Sequence, residues 1–132
     1  MKYFNYFLII VVWSCAGSTK VADDYFEQEA YAEAIVSYSD HLSGHGPTIA
    51  VLYNRGRSFE EIGEYEKALN DFQKILELDK KNIKAQTSIA KVKYESGDFE
   101  QAVLAAQKAI KWGPDFAQSH FWLAKGAHQM GY

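Results

Sequence analysis

Three cations recur at one interval in this chain: Arg57, Lys91 and Lys125, each 34 residues from the next. Helical spacing places Tyr53, Asn54, Tyr94, Phe121 and Trp122 on the same side as these charges. Basic groups flanked by aromatic rings suit an acidic or C-terminal peptide, because charge-assisted hydrogen bonds hold carboxylates while the rings supply buried area. That is the chemistry of binding, not of bond making. The competing reading is a solvated helix face: Glu60, Glu61 and Glu95 stand near enough in sequence to neutralise the cations, and Asp23 occupies the matching position 34 residues before Arg57.

Catalytic chemistry finds no foothold. The histidines are His41, His45, His120 and His128, and none sits in an HExxH motif or beside a CxxC pair. His41 and His45 are four apart with Gly44 between them, but a zinc site wants three or four ligands and no third is in reach along the sequence. Gly44-His45-Gly46 lacks the strand and phosphate-facing helix of a nucleotide loop and reads as a turn. Glu60-Glu61 and Glu64-Tyr65-Glu66 read as solvated helix faces and helix starts. The expectation is a protein that is not an enzyme and that uses no cofactor and no metal. The net charge of -3, with lysines and arginines scattered, gives no electrostatic footprint for a nucleic acid.

Cys15 is the one cysteine, so no internal disulfide framework exists. It ends an apolar stretch from Phe7 to Trp13 that follows Lys2 and leads into Ser14, Cys15, Ala16, Gly17 and Ser18, the layout of an export signal. The stretch is short of the about 20 apolar residues a membrane-spanning helix needs. Val12-Trp13-Ser14-Cys15 resembles the bacterial lipobox, with Trp13 where a smaller residue is usual. That resemblance implies a signal peptide over residues 1–16, lipidation at Cys15 and a membrane held through the N-terminal lipid. Ordinary cleavage after Ala16, and an uncleaved anchor, are the alternatives.

The elements that must carry the three cations follow the same period. Tyr31, Tyr65 and Phe99 align at a shift of 34, as do Ala34, Ala68 and Ala102, and Gly63, Gly97 and Gly131. A fixed period in this range marks stacked supersecondary units, none able to bury its apolar face alone. Helical patterns begin at Thr48 and stop at Gly63, run from Tyr65 to Leu78, then from Asn82 to Ser96 and from Phe99 to Trp112. Upstream, Val21 to Phe26 and Tyr31 to Leu42 mark a weaker pair with Glu29 where glycine is expected, followed by a loop over Ser43-Gly44-His45-Gly46-Pro47. A last helix spans about Phe116 to Met130, with Phe121, Trp122, Leu123 and Met130 unusually apolar for a terminal cap. Either these pack on the preceding unit, or the chain is a fragment or self-associates there. No strands are predicted.

This pattern resembles the tetratricopeptide repeat family. Leu52, Gly56, Phe59, Ala68 and Phe72 match its signature in one unit, and Ile89, Ala90, Ala102, Ala109 and Pro114 in the next. Arg55 stands in place of the usual leucine, Lys80 of the proline and Lys93 of an aromatic. The resemblance implies an all-α, right-handed α-solenoid of antiparallel helix pairs over residues 18–132, with units at about 18–46, 47–81 and 82–115 and a single helix at 116–130. Gly56, Ala90 and Ala124, each 34 apart, are the expected points of close helix approach.

In this family the first helix of each unit lines a concave groove where peptides lie. The resemblance therefore implies that Tyr53, Asn54, Arg57, Lys91, Tyr94, Phe121, Trp122 and Lys125 form a partner-binding groove. Asn54 and Lys84 sit where two residues of the chaperone-binding carboxylate clamp would be, but Tyr53, Arg57 and Ser88 do not supply the rest, and no clamp is assigned. The expected protein is a scaffold of the bacterial envelope that binds a protein or an acidic peptide and is tethered by lipid. Alternatives are an assembly factor for a pilus, secretion or outer-membrane machine, and the regulatory N-terminal part of a larger enzyme.

Overall fold

The computed structural model describes residues 18–132, so Cys15 and the expected processing sites lie outside the described residues. Within them seven helices follow one another with no strand: α1 (Lys20–Glu27), α2 (Tyr31–His45), α3 (Ile49–Glu61), α4 (Tyr65–Leu78), α5 (Ile83–Glu95), α6 (Phe99–Trp112) and α7 (Ala117–Gln129). Consecutive helices pack as pairs, α1 on α2, α3 on α4 and α5 on α6, while α7 covers both α6 and α5. This is the all-α repeat stack that the period predicts.

The helix starts are written in the sequence. Thr48 accepts a hydrogen bond from the Val51 amide at 3.4 Å, Asn82 from Ala85 at 3.0 Å and Asp98 from Gln101 at 3.3 Å, each satisfying an amide with no partner inside its own helix. The ends of the first helices repeat one turn. Glu29, Gly63, Gly97 and Gly131 all adopt positive φ, at 60°, 77°, 85° and 86°. The amide of the following residue then bonds back five residues, Ala30 to Tyr25, Glu64 to Phe59, Asp98 to Lys93 and Tyr132 to Ala127. Glu29 holds the glycine position at a cost of about 1 kcal/mol, the penalty of left-handed backbone for a residue with a Cβ.

Three apolar clusters run along the stack. Ala22, Ala34, Tyr38 and Val51 join the first unit to the second, Leu52, Phe72, Ile75 and Val92 form the centre, and Ala90, Ala105 and Ala106 take Trp122 and Leu123 of α7. Gly56 is a true contact point: a Cβ there would lie 2.9 Å from Cε1 of the buried Phe72.

Two expectations are corrected. The segment Ser43-Gly44-His45 is not loop but the last turn of α2, and only Gly46, at φ 80°, breaks away. Ser43 Oγ donates to the Ser39 carbonyl at 3.0 Å and the His45 ring stacks on His41 at 4.5 Å, contacts that offset the about 1 kcal/mol cost of Gly44 within a helix. At the far end Ala124 is exposed, with no helix after α7 among the described residues to cover it, and the close approach to α6 falls instead at Gly126, where a Cβ would meet Val103 at 2.8 Å. Trp122 and Leu123 do pack on the preceding unit, whereas Phe121 remains 53% exposed.

Candidate partner-binding groove

The first helices α3, α5 and α7 each lend side chains to one open hollow of about 200 Å³. Tyr53, Arg57 and Glu60 come from α3, Thr87, Ser88 and Lys91 from α5, and Gln118 and Trp122 from α7. Its floor is polar and closed: the Thr87 and Ser119 hydroxyls share a buried hydrogen bond of 2.7 Å between α5 and α7. Of the eight residues expected in the groove, four therefore line this hollow. Tyr94, Phe121 and Lys125 form its border on the α7 side, where Tyr94 and Phe121 lie 5.5 and 4.9 Å from the Trp122 ring. Asn54 does not line it. Its amide donates to Asp23 at 3.3 Å, joining the bonds that Asp23 accepts from Tyr38 at 2.6 Å and Thr19 at 2.7 Å. Burial, then the hydrogen bond to Asp23, push the Tyr38 hydroxyl well above its ordinary range, so it stays a donor and clamps α2 to α1.

The stacking register sets what each cation rests on. A residue of one first helix meets the residue 31 positions earlier, on the first helix of the unit before. Arg57 thus lies 5.2 Å above the Phe26 ring, Lys91 meets Glu60, and Lys125 lies 4.9 Å above the Tyr94 ring. Phe26, Glu60 and Tyr94 are themselves 34 apart. Lys125 is also 5.3 Å from the Phe121 ring and 5.4 Å from Trp122, so three rings surround its ammonium.

The middle rung differs in charge. Lys91 pairs with Glu60, and Glu95 and Glu61 approach it at 3.7 and 4.0 Å. Glu60 is 5% exposed, and burial raises its carboxyl above the ordinary range because the hydrogen bond and charge of Lys91 offset only part of the desolvation. Lys91 is less enclosed. Burial alone would lower its ammonium, but the hydrogen bond and charge of Glu60, with Glu95 and Glu61 behind, outweigh that and hold it above its ordinary value. Arg57 and Lys125 have no carboxylate within 4.0 Å among the described residues.

Sequence reasoning missed a second charged cluster outside the groove. Arg55 grips both oxygens of the fully buried Asp71 at 2.8 and 2.6 Å and donates to Ser39 at 3.0 Å, tying α2, α3 and α4 together. Arg55 and Asp71 are 16 apart on different helices, so no helical spacing flags them. The one available signal was a cation in the column where the repeat usually places leucine.

A stack of antiparallel helix pairs whose first helices converge on a shared polar hollow defines a helical repeat protein. The family models for the tetratricopeptide repeat match residues 49–82 and 87–129, together more than half of the sequence, and the chain belongs to that family. A wheat (Triticum aestivum) Hsp70-Hsp90 organizing protein is 27% identical over 93 residues, which are 70% of this chain and 16% of that protein. The small glutamine-rich tetratricopeptide repeat-containing protein 2 of Mycosarcoma maydis is 27% identical over 84 residues, 64% of this chain and 24% of its own length. The chain thus matches no more than a quarter of either relative. Among solved structures, the second TPR domain of human RPAP3 in complex with the HSP70 peptide SGPTIEEVD superposes with a TM-score of 0.76 at 21% identity, covering 82% of this chain and 90% of that one. The first TPR domain of Spaghetti bound to the HSP90 peptide SRMEEVD gives 0.79 at 18% identity, over 86% and 90%. A tetratricopeptide repeat protein from Parabacteroides merdae gives 0.77 at 26% identity, over 86% of this chain and 44% of its own.

Proposed function

We propose that this protein is a non-catalytic scaffold that holds a peptide segment of a partner protein in the face formed by α3, α5 and α7. The convergence of Tyr53, Arg57, Lys91 and Trp122 from three successive units on one hollow carries this reading. Polar groups on a rigid helical floor, bordered by rings, fit an extended peptide whose backbone needs hydrogen bonds and whose side chains need apolar contact. Two structural neighbours hold peptides ending in EEVD, which supports an acidic segment as the ligand here. The test is site-specific photocrosslinking in the native host. A crosslinker at Ser88 should capture a partner that one at Lys74, on α4 outside the hollow, does not; equal capture at both sites, or capture at Lys74 alone, refutes the groove.

We further propose that lipidation at Cys15 tethers this scaffold to a membrane of a bacterial envelope. The apolar run ending at the only cysteine supports that reading.

A further inference from the structure

We infer that the groove binds its partner mainly through two separated cationic poles, Arg57 and Lys125, with the charge of Lys91 cancelled between them, and so selects a peptide bearing two acidic groups about four to six residues apart. This rests on the groove reading above. The three cations share one column of the repeat, and their partners share another, but the partner column reads ring, carboxylate, ring: Phe26, Glu60, Tyr94. A ring face steadies a cation without cancelling its charge, and a carboxylate cancels it. Arg57 on Phe26 and Lys125 on its three rings are therefore held in place yet still carry unpaired N–H groups toward a ligand.

Lys91 is different. Its ammonium is engaged by Glu60, with Glu61 and Glu95 beside it, so a ligand carboxylate arriving at the centre would face three carboxylates against one cation. The sequence shows a ladder of three like charges, and the stack turns it into two poles with a repelling middle. Packed helices lie about 8–10 Å apart, so the axes of α3 and α7, two steps along the stack, are about 16–20 Å apart, and side chains that converge on one hollow bring the two charges no farther apart than that. An extended peptide advances about 3.3 Å per residue, so the two acidic groups sit at most about six residues apart.

The experiment uses fluorescence anisotropy with labelled synthetic peptides at low ionic strength. Each peptide carries two glutamates on a neutral background, separated by two, four, six, eight or ten residues. Binding should peak at four or six and fall away at eight and ten. Arg57→Gln and Lys125→Gln should each weaken the best-bound peptide about tenfold, the effect of one charge-assisted contact. The double variant Glu60→Gln/Lys91→Gln, which removes both charges of the central pair together, should cost less affinity than Arg57→Gln or Lys125→Gln. Glu60→Phe should leave Lys91 facing two carboxylates in place of three, so that a third, central glutamate in the peptide weakens binding less than it does with wild type. Affinity independent of spacing, or loss on Glu60→Gln/Lys91→Gln equal to that on Lys125→Gln, overturns the two-pole inference while leaving the groove intact. Weak binding of every peptide, unchanged by Tyr53→Ala or Trp122→Ala, overturns the groove reading itself.

Discussion

Replacing Arg55 by leucine should destabilise the fold by about 3–4 kcal/mol, although leucine is what the repeat usually carries at that position. Asp71 is wholly buried, and the guanidinium of Arg55 occupies both of its oxygens. Once that cation is gone, a buried carboxylate is left without the partner of its charge, and removing one member of a buried pair costs about 3–5 kcal/mol. Against a total stability of about 5–15 kcal/mol for a folded domain, the loss is large.

The two partners should not be equivalent. Asp71→Ala leaves an arginine whose side chain is 15% exposed and still bonded to Ser39, so its charge can reach water and the cost should be smaller. Adding Asp71→Ala to Arg55→Leu should then raise stability above that of Arg55→Leu alone, since the stranded carboxylate disappears. Urea unfolding followed by helical circular dichroism at pH 7 measures all four corners of this cycle. An Arg55→Leu protein within about 1 kcal/mol of wild type, or a double variant less stable than Arg55→Leu, refutes the reasoning.

Three further outcomes are expected. Gly56→Ala should cost about 1–2 kcal/mol because the new methyl meets Phe72 and the Asp71 Cβ, outweighing better helix propensity, whereas Gly44→Ala, with nothing within 4 Å, should gain up to about 1 kcal/mol; thermal melts of the pair that move in the same direction contradict the packing account. Glu60 has a folded value raised above its unfolded 4.5, so the group contributes stability that is present below pH 4.5 and lost as pH rises through the folded value; the stability of wild type relative to Glu60→Gln should therefore fall from pH 4.5 to pH 7, and a rise would contradict that sign. Cys15→Ser should move the protein from the membrane to the soluble fraction of the host, and an unchanged distribution counts against the lipid tether.

Much of the fold was legible because its information is local and repeated. Thr48, Asn82 and Asp98 cap helices through their own neighbours, and Gly63, Gly97 and Gly131 permit the left-handed turn, so the boundaries of α3 to α7 fall within a residue of expectation. Reading failed where the deciding contact was distant or finely balanced. The end of α2 was misplaced because the propensity of Gly44 was weighed without the Ser43 and His45 contacts to the preceding turn. Ala124 was misread because its column packs against the helix that comes next, and none comes next among the described residues. Tyr53, Arg57, Lys91 and Trp122 were legible as columns that meet at one hollow, and Asn54 left it because Asp23, 31 residues earlier, accepts its amide.

The charge pattern of the groove shows which neighbour decides. Along α5 the sequence offers Lys91 an ordinary partner in Glu95, four residues on, an exposed pair of the kind that contributes about 0.3–0.5 kcal/mol. The stack offers Glu60, 31 residues back and nearly out of contact with water, where the same charges interact several times more strongly. The distant partner therefore fixes the lysine, and the near one only adds to the surrounding negative field. The signal was present in the sequence all along: a glutamate stands in a column that otherwise reads phenylalanine and tyrosine. Reading it required knowing that neighbouring first helices meet at an offset of 31 instead of 34. With that offset, three equal cations become two that rest on rings and one that rests on a carboxylate.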